Sequence, residues 1–294
     1  MAIFIQQIVN GLQLGLVYAL IALGYTMVYG IIKLINFAHG DVFMVGAFVG
    51  FFGYTVTKLP WPVALVIAMV TCAAIGVLNE RLVYRPLRYA AKISALISAI
   101  GASFFLEYFC SLNFIFGPNY ISVTLPLKVI TWIIDGVRIT NVQVIILVTV
   151  VVFLTLLQLL IFRTKLGAAM RTVSFDHDAA RLMGVDVDKT ISFTFAVGSG
   201  LAGIGGVLFG FAYPEIWTFL GVMTGLKAFI AAVLGGIGLI PGAVLGALIM
   251  GQVEIMTAAY VSSQARDAVA FAILIIVLLI RPSGILGRNE PEKI

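Results

Sequence analysis

LINFAHGD, residues 34–41, places an amide, an imidazole and a carboxylate close together between two long apolar runs. Asn36, His39 and Asp41 therefore sit where water is scarce, and two readings stay open. In the first, the stretch is a polar turn near a membrane surface, and water satisfies it. In the second, it breaks a helix inside a bundle and lines a path. Irregular backbone at membrane depth is tolerated only against protein or a water-filled cavity. An ionised Asp there costs roughly 2.5–3.5 kcal/mol on insertion scales, so it needs a reason. Gly30 and Gly40 bracket the stretch.

The rest of the chain supports a membrane setting. Of 294 residues, 62% are hydrophobic and 11% are charged, with a mean hydropathy of +1.13. A soluble domain would carry about a quarter charged residues. Apolar runs of roughly 20 residues match a helix crossing about 30 Å of hydrocarbon, and the short alternating pattern of a membrane β-barrel is missing. The expectation is an all-α integral membrane protein, a polytopic helical bundle forming a single transmembrane domain over 1–294. Runs fall near 5–32, 40–57, 61–79, 93–116, 141–162, 190–213, 225–262 and 266–281. The seventh is too long for one span, and GGIGLIPGAVLGALIMG (235–251) carries glycine and proline at a density that breaks helices. Splitting it gives eight or nine membrane segments, with broken or re-entrant helices among them.

Charge sets the expected orientation. Most of the 18 Lys and Arg lie in 80–92, 163–189 and the tail with Arg281, Arg288 and Lys293. Basic segments stay in the cytoplasm, which puts the C-terminus inside and the N-terminus outside. The start, MAIFIQQIVN, has no basic region typical of a signal peptide, so the first run is expected to be retained. No basic surface interleaved with aromatics suggests nucleic acid. No Gly-Lys pair exists to form a phosphate-binding loop, and no HExxH or CxxC appears. Two distant histidines and two cysteines in apolar runs predict no metal site and no disulfide. No nucleophile and base pattern points to catalysis.

Residues 163–190 read RTKLGAAMRTVSFDHDAARLMGVDVDKT, the most charged stretch. Ser174 suits a helix N-cap, Asp176 and Asp178 favour the first turn, and Gly184 suits the end. The expectation is a helix of about nine residues with Ala179, Ala180, Leu182 and Met183 as apolar surface and His177 and Arg181 opposite. It would dock on a partner or serve as a solvated connector. Glu107, within SFFLEYFC, is expected to face the bundle interior, as a helix–helix tie or a path contact. Lys227 and Glu254 are candidates of the same kind, with a place near a membrane surface the alternative reading for Glu254. Gly11 and Gly15, Gly46 and Gly50, and Gly242 and Gly246 have the spacing that lets helices approach closely, within one chain or between two.

Four stretches carry a resemblance: GLVYALIALGYTMVYGIIKLINFAHGD (15–41), GVDVDKTISFTFAVGSGLAGIGGVL (184–208), GLKAFIAAVLGGIGLIPGAVLGALI (225–249) and RPSGILGR (281–288). The chain resembles the membrane permease subunits of bacterial branched-chain amino acid ABC transporters. The resemblance implies an importer of small neutral amino acids in the inner membrane. It also implies a second permease subunit, two ATP-binding subunits that use ATP-Mg, and a periplasmic substrate-binding protein. This chain would bind no cofactor itself. The segment 163–190 would be the coupling element, with Ser174, Asp178, Ala179, Ala180, Arg181 and Gly184 as contact candidates. The usual Glu-Ala-Ala triplet is absent there; Asp178-Ala179-Ala180 comes nearest. Asn36, His39, Asp41 and Glu107 are the pathway candidates. Rival readings are an importer of urea, short amides or sugars, and an ATP-independent channel or carrier.

Overall fold

A computed structural model describes residues 1–88 and 90–287; Arg288 and Lys293 of the expected basic tail lie outside that range. Helix α1 (Ala2–Ile32) is followed by α2 (His39–Thr55), α3 (Trp61–Asn79) and α4 (Lys92–Cys110). Next come α5 (Asn141–Arg163), α6 (Lys165–Phe175) and α7 (His177–Leu182). The chain closes with α8 (Val187–Ala212), α9 (Leu220–Gly235), α10 (Ile240–Tyr260) and α11 (Ala265–Ile280). Short strands β1 (Ile121–Ser122) and β4 (Glu215–Ile216) pair antiparallel, as do β2 (Thr131–Ile134) and β3 (Val137–Thr140).

Among the described residues, six helices are long and apolar enough to cross a membrane. Helices α2, α9 and α11, at 17, 16 and 16 residues, are shorter. The long apolar run near 225–262 is divided, as its glycines and proline require. Gly236 (φ 110°) ends α9 in a conformation open to glycine, and Pro241 sits in the first turn of α10, where its missing N–H costs nothing. Two of the carbonyls left at the end of α9 are taken by the tail: the Ile285 N–H donates to Leu234 O (2.8 Å) and Leu286 N–H to Gly235 O (3.1 Å). RPSGILG is thus a backbone cap for a neighbouring helix.

The core is α1, α8 and α10 with α2, α3 and α9 packed around them; α1 and α8 are largely buried, whereas α4 and α5 expose apolar faces suited to lipid or another subunit. Glycine sets the spacing inside. A Cβ on Gly46 would fall 2.5 Å from Gly203 Cα, and one on Gly15 would fall 2.8 Å from Leu248 Cα. Gly242 meets Gly235, and Gly246 meets Ala231. All three GxxxG pairs therefore serve contacts within this chain, and their expected part in pairing two permeases is not needed to explain them.

The connectivity separates two ends. At one, the start of α1 meets the β2–β3 hairpin, and Trp61 and Tyr54 pack on Phe211. At the other lie the end of α1, the turn after α3, α6 and α7, and the α9–α10 turn. A π-helical turn, Glu80–Tyr84, continues α3 there. Buried Glu80 accepts from Arg88 (2.9 Å) and Ser192 (2.6 Å), and Arg88 also donates to Asp188 (2.5 Å). Glu80 and Arg88 thus tie the end of α3 to α8.

Substituting Gly46→Val should force apart α2 and α8 and cost about 1–3 kcal/mol or more. Gly101→Ala, where no atom lies within 4 Å, should leave stability unchanged. Thermal unfolding in one detergent compares the two.

Candidate functional site

Helix α1 ends where Lys33 turns left-handed (φ 54°), and residues 33–38 run back into the bundle before α2 begins. The ring of His39 fills the space that a side chain on Gly24 would need. Gly24 lies eight residues before the end of α1, so α2 starts roughly 12 Å inside that end. Helix α9 starts at the same place. A Cβ on Gly221 would lie 2.6 Å from Gly40 O, and one on Gly225 would lie 2.7 Å from Gly40 Cα. The N-terminal turns of two short helices thus meet inside the protein, where their free N–H groups give a positive end.

Asn36, His39, Asp41 and Glu107 are all buried, at 2% exposure or less. That removes the reading of LINFAHGD as a solvated surface turn. The four do not form one cluster. Asn36 Oδ1 accepts from Asn79 Nδ2 and from the Tyr84 hydroxyl, both at 3.2 Å, so it ties the break to α3. His39 packs edge-on against Tyr25 (centroids 4.7 Å), with no hydrogen-bond partner on either ring nitrogen among the described residues. Asp41 and Glu107 are the pair that meets: their carboxyl groups interact across α2 and α4. Ser103 Oγ donates to Asp41 Oδ2 at 2.5 Å. Asp41 and Glu107 are thus held in mutual hydrogen-bond contact between their side chains. A buried carboxyl pair beside two positive helix ends can accept from an ammonium or amide group.

A second buried cluster lies behind α9. Lys227 Nζ binds Glu254 Oε1 (2.8 Å) and Asp267 Oδ1 (2.7 Å), and the Tyr18 hydroxyl donates to Glu254 Oε2 (2.8 Å). Glu254 is buried in the core, not at a surface. The network joins α1, α9, α10 and α11 and holds the short helix that forms one wall at Asp41.

The expected coupling helix is two helices. Ser174 is not a cap; its hydroxyl donates to Arg171 O (2.8 Å). Asp176 caps α7, accepting from the N–H of Asp178 and of Ala179. Gly184 (φ 80°) ends the segment as expected. Ala180 is fully buried within this chain, which corrects its assignment to a partner-facing surface; Ala179 and Asp178 are exposed. Leu182 (89%) and Met183 (80%) are exposed apolar side chains as expected, and Phe175 joins them. Arg181 pairs with Asp178 at 3.6 Å. His177 Nε2 lies 3.0 Å from Ile31 O, the last turn of α1 before the break. A cavity of about 110 Å³ between α1, α6 and the α9–α10 turn is lined by Thr26, Gly30, Arg171, Ser174 and Gly238. Asp186 caps α8, and the Lys189 N–H holds its carboxyl below the usual range.

No group of three or more His, Cys, Asp or Glu side chains able to hold a metal ion occurs among the described residues. Short helices that begin inside a bundle, one of them with Asp41 in its first turn and Glu107 of α4 beside it, define a polytopic transport-type membrane protein. The family described as "Branched-chain amino acid transport system / permease component" matches residues 7–278, and the chain belongs to it. It is 44% identical to the "High-affinity branched-chain amino acid transport system permease protein LivH" of Escherichia coli, covering 99% of this chain and 98% of that one. BraD, the similarly described permease protein of Pseudomonas aeruginosa, is 42% identical with the same coverage. The fold is similar to a solved structure of PsaBC from Streptococcus pneumoniae in complex with Fab, with a TM-score of 0.50 at 13% identity, over 93% of this chain and 91% of that one.

Replacing Lys227 with Met leaves two carboxylates without their cation and should destabilise by about 3–5 kcal/mol. Adding Glu254→Gln to that variant should restore part of the loss. A double-mutant cycle on detergent unfolding measures this, and simple additivity would remove the coupling.

Proposed function

We propose that the chain is the membrane permease subunit of an ATP-driven importer that moves branched-chain or other small neutral amino acids across the bacterial inner membrane. The observation carrying this reading is the interior meeting of α2 and α9, with the buried carboxyl pair of Asp41 and Glu107 beside it, in a chain of this family. A free amino acid loses water from its ammonium and carboxylate on entering. Asp41 and Glu107 accept from the ammonium; the N-terminal turns of α2 and α9 favour the carboxylate. Binding there is weak enough for the cargo to leave.

ATP hydrolysis belongs to two partner subunits. Phe175, Leu182 and Met183 dock on them, and a second permease subunit and a periplasmic binding protein complete the machine. The basic residues of 80–92, 163–189 and Arg281 gather at one end of the bundle, which supports a cytoplasmic placement of that end and a periplasmic N-terminus. Movement of α6 and α7 reaches the pathway through the His177–Ile31 contact, because Ile31 directly precedes the break that leads to His39 and Asp41.

Asp41→Asn keeps shape and removes charge. Losing a charge-assisted hydrogen bond of about 1.5–3 kcal/mol should lower uptake in reconstituted vesicles roughly tenfold or more, with assembly unchanged. Unlabelled leucine, urea and sugars, tested in competition, identify the cargo. Leu182→Glu combined with Met183→Glu should leave ATP hydrolysis running without uptake. Ala180→Trp should instead unfold the α7 region of this chain. Normal uptake in the Leu182 and Met183 variant would remove α7 as the docking element.

A further inference from the structure

The segment between α4 and α5 contains a feature that transport does not explain. Strand pairing sets Trp132 opposite Ile139 and Ile134 opposite Val137, and Ile133 opposite Arg138 and Thr131 opposite Thr140. Opposed residues share a face, so one face of the hairpin is Trp132, Ile134, Val137 and Ile139. The other carries Thr131, Ile133, Arg138 and Thr140. The first face is entirely apolar, yet the protein covers only part of it. Val137 is buried, whereas Trp132 and Ile134 are 46% and 59% exposed.

Its surroundings indicate what covers the rest. The hairpin runs directly into α5, whose N-cap is Thr140, and α5 exposes Val144, Leu147 and Val148. It is held to the first turns of α1 by the Gln6 side chain, which accepts from Arg138 N–H (2.7 Å) and donates to Arg138 O (3.1 Å). Gly136 lies against Ala2. The same end of α1 exposes Ile3, Phe4, Ile5 and Ile8. The apolar face of the hairpin thus continues the apolar surfaces of two membrane helices. Helix α1 has 31 residues, roughly 46 Å at 1.5 Å each, and outruns the hydrocarbon core of about 30 Å. Its first turns therefore reach the headgroup layer, and the hairpin lies with them. Exposed Lys128 and Arg138 stand where lipid phosphates would meet them.

We propose that the β2–β3 hairpin is a membrane-interface element: Trp132 and Ile134 insert into the acyl boundary of the leaflet on the side of the α1 N-terminus, while Lys128 and Arg138 contact lipid headgroups. This goes beyond the transport reading and does not depend on it. The hairpin anchors α1 and α5 at a fixed depth, as aromatic side chains do at membrane interfaces.

The test uses the full chain in nanodiscs, with Trp61→Phe and Trp217→Phe leaving Trp132 as the only tryptophan. Lipids brominated near the ester end of the acyl chain should quench its emission most strongly, because interfacial tryptophans sit at that depth; bromines near the methyl end and aqueous iodide should quench it less. Should that variant fail to fold, a bimane label on Ile134→Cys, with buried Cys72 and Cys110 left in place, reports the same depth. Strong iodide quenching with no effect of either brominated lipid would overturn the proposal. So would protection from iodide that appears only when partner subunits are added, which would assign the face to a protein.

Discussion

The backbones of α2 and α9 touch where Gly40 meets Gly221 and Gly225, and the interior of the protein depends on that contact. A single methyl group there would push the two helices apart. Because they meet, neither has to cross the whole bundle, and their N-terminal turns end beside each other at depth. That gives Asp41 its place in a first turn, where a negative charge is favoured. It also brings α2 against α4, so that Glu107 and Ser103 reach the same carboxyl.

Two short helices ending inside a membrane protein need restraint from behind. Helix α9 is held by Lys227, clamped between Glu254 and Asp267, and by the tail that binds its last carbonyls. Helix α2 is held through the break before it: Asn36 is fixed to Asn79 and Tyr84, and Ile31 to His177. The restraints on α2 face the end where α6 and α7 lie, and those on α9 reach into α10 and α11. The pathway candidates therefore lie between α6 and α7, the proposed coupling element, and the frame made by α10 and α11.

The sequence revealed the parts governed by solvent. Apolar runs located most helices to within a few residues because lipid demands continuous apolar surface, and glycine with proline revealed the split near Gly236. Asn36, His39 and Asp41 stood out because polar groups in such runs need an explanation. Pairings made by folding were hidden. Asp41 and Glu107 lie on different helices, as do Lys227 and Asp267, and no local pattern links them. Glycine spacing showed that close packing occurs but not that Gly46 faces Gly203. Ser174 and Asp176 are both good caps two residues apart, and only tertiary contact decides between them. The same contact hides Ala180 inside its own chain. The hairpin left a readable trace, since Asp135-Gly136 between alternating apolar residues is a strong turn signal.

The clamp on Lys227 also has an order in time. Ribosomes make α9 before its partners: Glu254 follows Lys227 by 27 residues, and Asp267 comes later still. Until they emerge, a 16-residue helix carrying a lysine must wait in or beside the translocon, at a cost of about 2.5–3.5 kcal/mol for a centrally placed charge. The residues that bind the free carbonyls of α9, Ile285 and Leu286, follow both in the chain. The contacts that hold α9 from behind can therefore close only after α10 and α11 have been made.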